Sequence, residues 1–219
     1  MDQAGLALTG FRRERGLLWP DYDRRCAEVT FSETDDAVPR LASWLGHRRV
    51  AVQAGGNCGQ LVRQLAAGFE AVYTFEPDPR NFVALTVNTA HLANVYRYQA
   101  ALGLMRGLRG MADGDDKFPG VNCGALYVSG EGRVPVLKVD DLGLPACDLL
   151  MLDVEGGELR ALQSAEQTIA QHRPLAVIED KGLGARFYGE RPHAAEQWMV
   201  ERHGYRRATR IKNDTVLVP

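Results

Sequence analysis

From about residue 48 onward, short apolar runs alternate with stretches whose apolar residues recur at helical spacing, and this alternation narrows the fold more than any other feature of the chain. Strands are predicted at about 48–55, 71–76, 95–102, 148–153 and 174–180. Between them Leu61, Val62, Leu65, Ala66 and Phe69 share one helix face, as do Phe82, Leu85 and Leu92, and again Leu159, Leu162 and Ile169. Near-continuous apolar strands separated by amphipathic helices describe an α/β fold, a mostly parallel sheet buried under helices on both faces. In such a sheet, ligands sit beyond the carboxyl ends of the strands.

The flanking segments are less regular. Residues 1–32 mix glycine, arginine and aromatics such as Trp19 and Tyr22, and an arm or flap is expected there. Ser32, Glu33, Asp35 and Asp36 precede Val38, Leu41, Trp44 and Leu45, which predicts a capped helix over 32–46 leaning on the sheet. The glycine-rich stretch 103–135 is too long for a plain connection. It is expected to be an excursion near the ligand edge, with a hairpin between 124–128 and 134–137. Residues 193–204 read as a helix, and 205–211 with 214–218 as a terminal hairpin turned at Asn213-Asp214.

With 219 residues, 45% of them hydrophobic and 25% charged, the chain has the make-up of one well-buried globular unit. A formal charge of -2 argues against an extended nucleic-acid surface, and the basic run 205–212 reads as a solvated strand. No run of about eighteen apolar residues occurs, so no membrane span is expected. Cys26, Cys58, Cys123 and Cys147 are scattered, with no C-x-x-C pair and no visible secretory leader, from which a reducing cytoplasm is expected. The five histidines are equally dispersed, so no structural zinc is predicted. Oligomeric state stays open, a homo-oligomer included.

The chemistry gathers at the predicted strand ends. Gly55, Gly56 and Gly59 follow the first strand and open a helix, a turn in which the backbone can pass close to a ligand. Glu76 ends the second strand about twenty residues later, where a carboxylate would take the hydroxyls of a nucleoside ribose. Nicotinamide and S-adenosylmethionine enzymes both use this pattern. A nicotinamide enzyme would need a proton donor and substrate pocket usually supplied by further chain, which moves the balance to S-adenosylmethionine. The fourth and fifth strands end in Asp153, Glu155 and Glu179, candidate bases for an acceptor that must lose a proton. The plainer alternatives are a helix cap for Asp153 and Glu155 and a surface ion-pair cluster for Glu179, Asp180 and Lys181. Carboxylates so gathered could recruit a divalent cation, but without a further placed ligand none is predicted.

Val52 to Gly59, Phe75-Glu76-Pro77-Asp78-Pro79 with Asn81, Asn122-Cys123-Gly124-Ala125, Asp148 to Gly156 with Glu158, and Pro174 to Glu179 resemble the ordered motifs of FkbM-type methyltransferases. The likeness covers about residue 48 to the C-terminus, and within the family the chain is similar to short single-domain members encoded in bacteriophage genomes. It implies a Rossmann-like class I methyltransferase fold: a seven-stranded sheet, mostly parallel with an antiparallel last strand. Residues 1–47 would be an arm and helix packed on the core and 48–219 the methyltransferase domain, one globular unit overall. By the same carry-over, Gly55, Gly56, Asn57 and Gly59 would line the methionine part of S-adenosylmethionine, and Glu76 would hold its ribose. Gln53 stands where the family usually has aspartate, so its contact to the cofactor's amino group would lack a charge.

The reaction so implied is methylation of a hydroxyl on a sugar-like or other small polar acceptor, leaving S-adenosylhomocysteine, in the cytoplasm (of a bacterial host for a phage-encoded chain). Ring methylation of nucleic acid is disfavoured, because no D/N-P-P-aromatic segment and no proline-preceded cysteine occur. A modified nucleotide acceptor stays open. Two alternatives remain: a nicotinamide-dependent oxidoreductase, and a catalytically silent nucleoside-binding protein, which Gln53 keeps in view.

Overall fold

The computed structural model describes residues 8–33 and 37–219. The hairpin β1 (Phe11–Glu14) and β2 (Leu17–Pro20) leads to helices α1 (Cys26–Glu33) and α2 (Ala37–Leu41). Then come β3 (Val50–Ala54), α3 (Gln60–Gly68), β4 (Ala71–Phe75), α4 (Pro79–Thr89) and β5 (Val95–Tyr98). An excursion follows, made of β6 (Ala101–Leu102), β7 (Gly107–Asp113) and β8 (Leu126–Leu137), and ends in a 3-10 helix at Val139–Leu142. The chain returns through β9 (Leu149–Leu152), α5 (Glu158–Gln163), α6 (Glu166–His172), β10 (Leu175–Glu179) and α7 (Leu183–Tyr188). It closes with α8 (Ala194–His203), β11 (Arg206–Ile211) and β12 (Asp214–Val218).

Seven strands form the main sheet in the order β11-β12-β10-β9-β3-β4-β5. Strands β3, β4, β5, β9 and β10 run parallel, and β12 enters antiparallel to β10. This is the Rossmann-like class I methyltransferase arrangement expected above, antiparallel last strand included. All five residues of β3 are buried, as a central parallel strand requires. Its side chains alternate: Val50, Val52 and Ala54 pack towards α5, α6 and α8, whereas Ala51 packs towards α2, α3 and α4. Asp78 starts α4 by accepting from Arg80 N at 3.0 Å and Asn81 N at 2.9 Å, with Pro79 in the first turn where no donor is lost.

Four expectations need correction. The strand foreseen at 95–102 is two: β5 ends at Tyr98, and β6 leaves the main sheet to pair with β8. Residues 124–128 and 134–137 are not two arms of a hairpin, because both belong to the β8 region and face β7. The bulge between them works because Gly110 and Gly132 meet face to face; a Cβ on Gly132 would lie 2.4 Å from the Gly110 Cα. The single helix at 32–46 is replaced by α1 and α2, with Val38 and Leu41 buried as foreseen and Trp44 exposed. The caps foreseen at 32–36 lie outside the described residues or side chains. Finally, the face carrying Leu159, Leu162 and Ile169 is divided between α5 and α6.

The N-terminal hairpin is pinned to α4. Trp19 is fully buried, and the Asn88 side chain accepts from Leu18 N at 2.7 Å while donating to Leu18 O at 2.9 Å and Cys58 O at 2.8 Å. One buried amide thus ties the hairpin, α4 and the loop after β3 together, and leaving it half-satisfied would cost about 1–3 kcal/mol.

Candidate active site

Register decides where the site lies. Ala54 pairs with Phe75 on one side and Leu152 on the other, and Leu152 pairs with Ile178. The next residue of each parallel strand therefore emerges at the same edge, in the order Glu179, Asp153, Gly55, Glu76. Between β9 and β3 the strand order reverses, which opens a crevice at that edge. A cavity of about 730 Å³ fills it, lined by all four of these residues and covered by α1, the excursion and α7. That is the size of a site for a cofactor together with a small substrate.

At the β3–β4 end the backbone does the shaping. Gly55 has φ 85°, and a Cβ there would lie 1.8 Å from the carbonyl oxygen of Asp153, so the turn crosses the end of β9 in contact. The Gly55 and Gly56 N–H groups donate to Phe75 O at 3.0 and 2.9 Å. They shape the wall and offer no donors to a ligand. Glu76 is buried; its carboxylate accepts from Asn57 N at 2.7 Å and from Asp78 N at 2.8 Å. Burial nevertheless pushes its pKa up to about 8. Beside it Asn81 presents a buried Oδ1 with no hydrogen-bond partner among the described residues.

Two residues expected to touch the cofactor stand elsewhere. Gln53 is buried, accepts from the Thr74 hydroxyl at 2.6 Å and donates to Gly55 O at 2.8 Å. Both ends of its amide are used inside the protein, so it braces the glycine turn from beneath and does not line the cavity. Gly59 lies at the start of α3, where a Cβ would come within 3.0 Å of Leu85 and 3.2 Å of Thr89. Its role is close packing of α3 on α4. Gly55, Gly56, Asn57, Glu76 and Asp153 do line the cavity.

At the β9–β10 end side chains take over. Carboxylate oxygens of Asp153, Glu155 and Glu179 lie within 4.8 Å of one another. Lys181, named in the sequence only within a candidate ion-pair cluster with Glu179 and Asp180, places its Nζ 2.8 Å from Glu179 and 3.4 Å from Glu155. Burial and then the neighbouring Asp153 push Glu155 up to about 7, and the same two causes push Glu179 further. Burial opposes the charge on Lys181, but the three carboxylates outweigh it and raise its pKa. Glu155 sits at φ 52°, a left-handed position costly for a non-glycine residue. The turn is held by Glu158, whose Oε1 accepts from Val154 N and Gly156 N, both at 3.1 Å. Sequence hints existed for Lys181, two residues beyond a strand end, but none for Glu158 as a brace.

The lid is tertiary. Phe187 of α7 stacks on Tyr127 of β8 with centroids 3.9 Å apart and planes 7° from parallel, and the Tyr188 hydroxyl donates to Val128 O at 2.8 Å. Among the described residues no helix is long and apolar enough to cross a membrane.

The shape and hydrogen-bond acceptors fit a nucleoside sulfonium cofactor: a glycine-shaped wall, a buried carboxylate and an amide oxygen at one end, and a cluster of carboxylates with one ammonium at the other. The solved methyltransferase FkbM from Methylobacillus flagellatus KT aligns with a TM-score of 0.52 and 22% identity, covering 78% of this chain and 43% of that one. The chain thus spans less than half the length of that relative. The N-methyltransferase NodS from Bradyrhizobium japonicum WM9 aligns with a TM-score of 0.49 and 12% identity over 87% of this chain and 94% of that one. No curated protein matches the chain. Residues 53–207 match the methyltransferase FkbM domain, well over half of the chain. It belongs to the FkbM family of S-adenosylmethionine-dependent methyltransferases.

Proposed function

We propose that this methyltransferase acts on oxygen, methylating a hydroxyl of a sugar-like or other small polar acceptor in the cytoplasm. The observation that carries the reading is the cluster of Asp153, Glu155, Glu179 and Lys181 at one end of the cavity, opposite the Glu76 end. S-Adenosylmethionine, when bound, supplies an electrophilic methyl group on a sulfonium that leaves as a neutral thioether. Glu76 would accept the ribose hydroxyls, and Gly55, Gly56 and Asn57 would shape the wall beside its amino-acid part. Fixing both reactants in line contributes roughly 7 to 11 kcal/mol to lowering such a barrier.

An alcohol acceptor carries a proton that must leave. The carboxylates of Asp153 and Glu179 are the assigned acceptors for it, and Glu155, raised to about 7, sits close enough to share the charge. A base whose pKa is near the working pH contributes about 100- to 10,000-fold. Lys181 keeps one cation among them, so that one carboxylate can stay ionised as base while its neighbour holds a proton. Phe187, Tyr188 and the excursion would wall the acceptor side.

Of the two alternatives, the nicotinamide oxidoreductase falls with the family match. The silent binding protein loses the feature that supported it, since Gln53 does not line the cavity. The test is transfer of isotopically labelled methyl from S-adenosylmethionine to a panel of hydroxyl- and amine-bearing sugars and nucleotides. Label on a hydroxyl, lost in Asp153→Asn, supports the reading; label on an amine alone overturns it.

A further inference from the structure

Three of the four cysteines, far apart in sequence, converge at one place. Cys26 opens α1, Cys58 follows the glycine turn, and Cys123 precedes the small loop that enters β8. All three are buried and none is in a disulfide. The fully buried Asp23 joins them: one of its carboxylate oxygens and the sulfurs of Cys26 and Cys123 lie within 4.8 Å of one another. The Cys58 thiol lies against that of Cys123. Spacing along the chain hid this group entirely, because no two of its members form a recognisable ligand pair.

The surroundings are those of a ligand set. Asp23 Oδ1 accepts from Cys26 N at 3.0 Å and Cys123 N at 3.2 Å, and Oδ2 from Ala27 N at 3.0 Å. These bonds fix the carboxylate, with Oδ1 accepting twice and Oδ2 once, so Oδ2 keeps a lone pair for a ligand. Its nearest cationic partner, Arg12, is 3.9 Å away, a poor match for a carboxylate with no solvent contact. The Cys26 sulfur accepts from Asn57 Nδ2 at 3.4 Å and lies 3.5 Å from the Thr30 hydroxyl, outer contacts of the kind that steady a metal-bound thiolate. Gly124 allows the loop to come this near, since a Cβ there would lie 2.7 Å from the Cys26 sulfur. Tetrahedral zinc with Zn–S bonds of about 2.3 Å needs ligand atoms about 3.8 Å apart; the Asp23, Cys26 and Cys123 atoms already lie within 4.8 Å of one another, and Cys58 would turn in from its place against Cys123.

We propose that Asp23, Cys26 and Cys123, with Cys58 as fourth donor, form a binding site for a thiophilic divalent cation, zinc by choice of ligands, that clamps α1, the loop after β3 and the loop before β8 around the cofactor cavity. On binding, each coordinating thiol releases its proton to solvent and the sulfur pair forms the bond to the metal. A regulatory disulfide is the weaker use of the same thiols. A disulfide would join only two of these groups and would leave the Asp23 carboxylate that lies against them without a use. A cation takes carboxylate and sulfur together, and deprotonates its thiols on binding. Asn57 links this site to the cavity, because it touches the Cys26 sulfur with its side chain and Glu76 with its backbone.

The test uses the full chain, reduced with a phosphine, stripped by a chelator and titrated anaerobically with Zn²⁺ and with Co²⁺. One equivalent should bind, and the cobalt form should show thiolate-to-metal charge transfer together with the visible bands of a tetrahedral site. Cys123→Ser should weaken binding at least about 100-fold, while Cys147→Ser, the remaining cysteine, should bind as the unaltered chain does. The cobalt spectrum needs no variant, so it decides the matter even should Cys123→Ser fail to fold. No uptake by the unaltered chain, a cobalt spectrum without thiolate charge transfer, or full affinity in a folded Cys123→Ser would each overturn the proposal. None of these readouts depends on methyl transfer.

Discussion

At the β3–β4 end of the cavity one carboxylate is held by backbone N–H groups, whereas at the β9–β10 end three carboxylates and one ammonium hold each other. The first arrangement is built by main-chain geometry, with Gly55 pressed on the Asp153 carbonyl and Asn57 at φ 46°. The second depends on side-chain charges whose protonation states are linked. The difference teaches how one crevice can separate tasks: a fixed end suited to holding a cofactor, and an adjustable end suited to moving a proton.

Replacement at the adjustable end should have the largest effect. Asp153→Asn and Glu179→Gln are each expected to slow turnover by about 100- to 10,000-fold, with cofactor affinity changed far less. Single-turnover rates beside calorimetric titration with S-adenosylhomocysteine measure the two quantities separately. Wild-type rates in both variants would remove the division of labour. Next comes Gly55→Ala, which combines a Cβ at 1.8 Å from a carbonyl oxygen with a positive φ. A stability loss of at least about 2 kcal/mol is expected in urea unfolding.

Glu76→Ala should weaken S-adenosylhomocysteine binding by about 1–3 kcal/mol, and unchanged affinity would break the assignment of the fixed end. The pH response sharpens it. In the free protein Glu76 is raised from 4.5 to about 8 by burial, so its stabilising contribution is complete below pH 4.5 and is lost as pH rises through 8. Ribose hydroxyls donating to the carboxylate favour its charged form, so binding should release a proton. Affinity should therefore climb towards pH 8 in the unaltered chain and flatten in Glu76→Gln.

Lys181→Met tests the other end by the opposite logic. Loss of the cation raises Glu155 and Glu179 further, so the acid limb of the kcat/KM profile should move to higher pH. An unmoved profile would mean that these groups do not titrate in the reaction. The smallest change is expected from Phe187→Ala, which removes the stack on Tyr127 and should cost about 0.5–1.5 kcal/mol in the docking of α7. A raised acceptor KM with unaltered cofactor affinity would place the lid on the acceptor side.

The fixed end was largely legible. A glycine turn after an apolar strand and a carboxylate ending the next strand are local patterns, and both lie where β3 and β4 end. Gln53 and Gly59 show the limit of that legibility, because a motif position does not say which way a side chain faces. In β3 the alternation turns Gln53 to the same side as Ala51, beneath the glycine turn, where Thr74 and Gly55 engage both ends of its amide. Asp153, Glu155 and Glu179 could be named from strand ends, but the entry of Lys181 into their midst depended on the turn after β10. The partner of β8 was hidden for a different reason: Gly107 and Gly110 blur the alternation of β7, so the strand that precedes β8 does not show in the pattern.

By itself, the order of apolar strands and amphipathic helices determined a parallel sheet with its ligand edge, and so the row of residues that meets any bound molecule. Periodicity and turn chemistry are short-range properties, readable wherever they occur. Tertiary structure alone decided that Trp19 and Asn88 pin the hairpin to α4, that Phe187 closes on Tyr127, and that Cys26, Cys58 and Cys123 share one pocket with Asp23. Those encounters join residues tens of positions apart, and only the closing of the chain around a common core sets which of them touch.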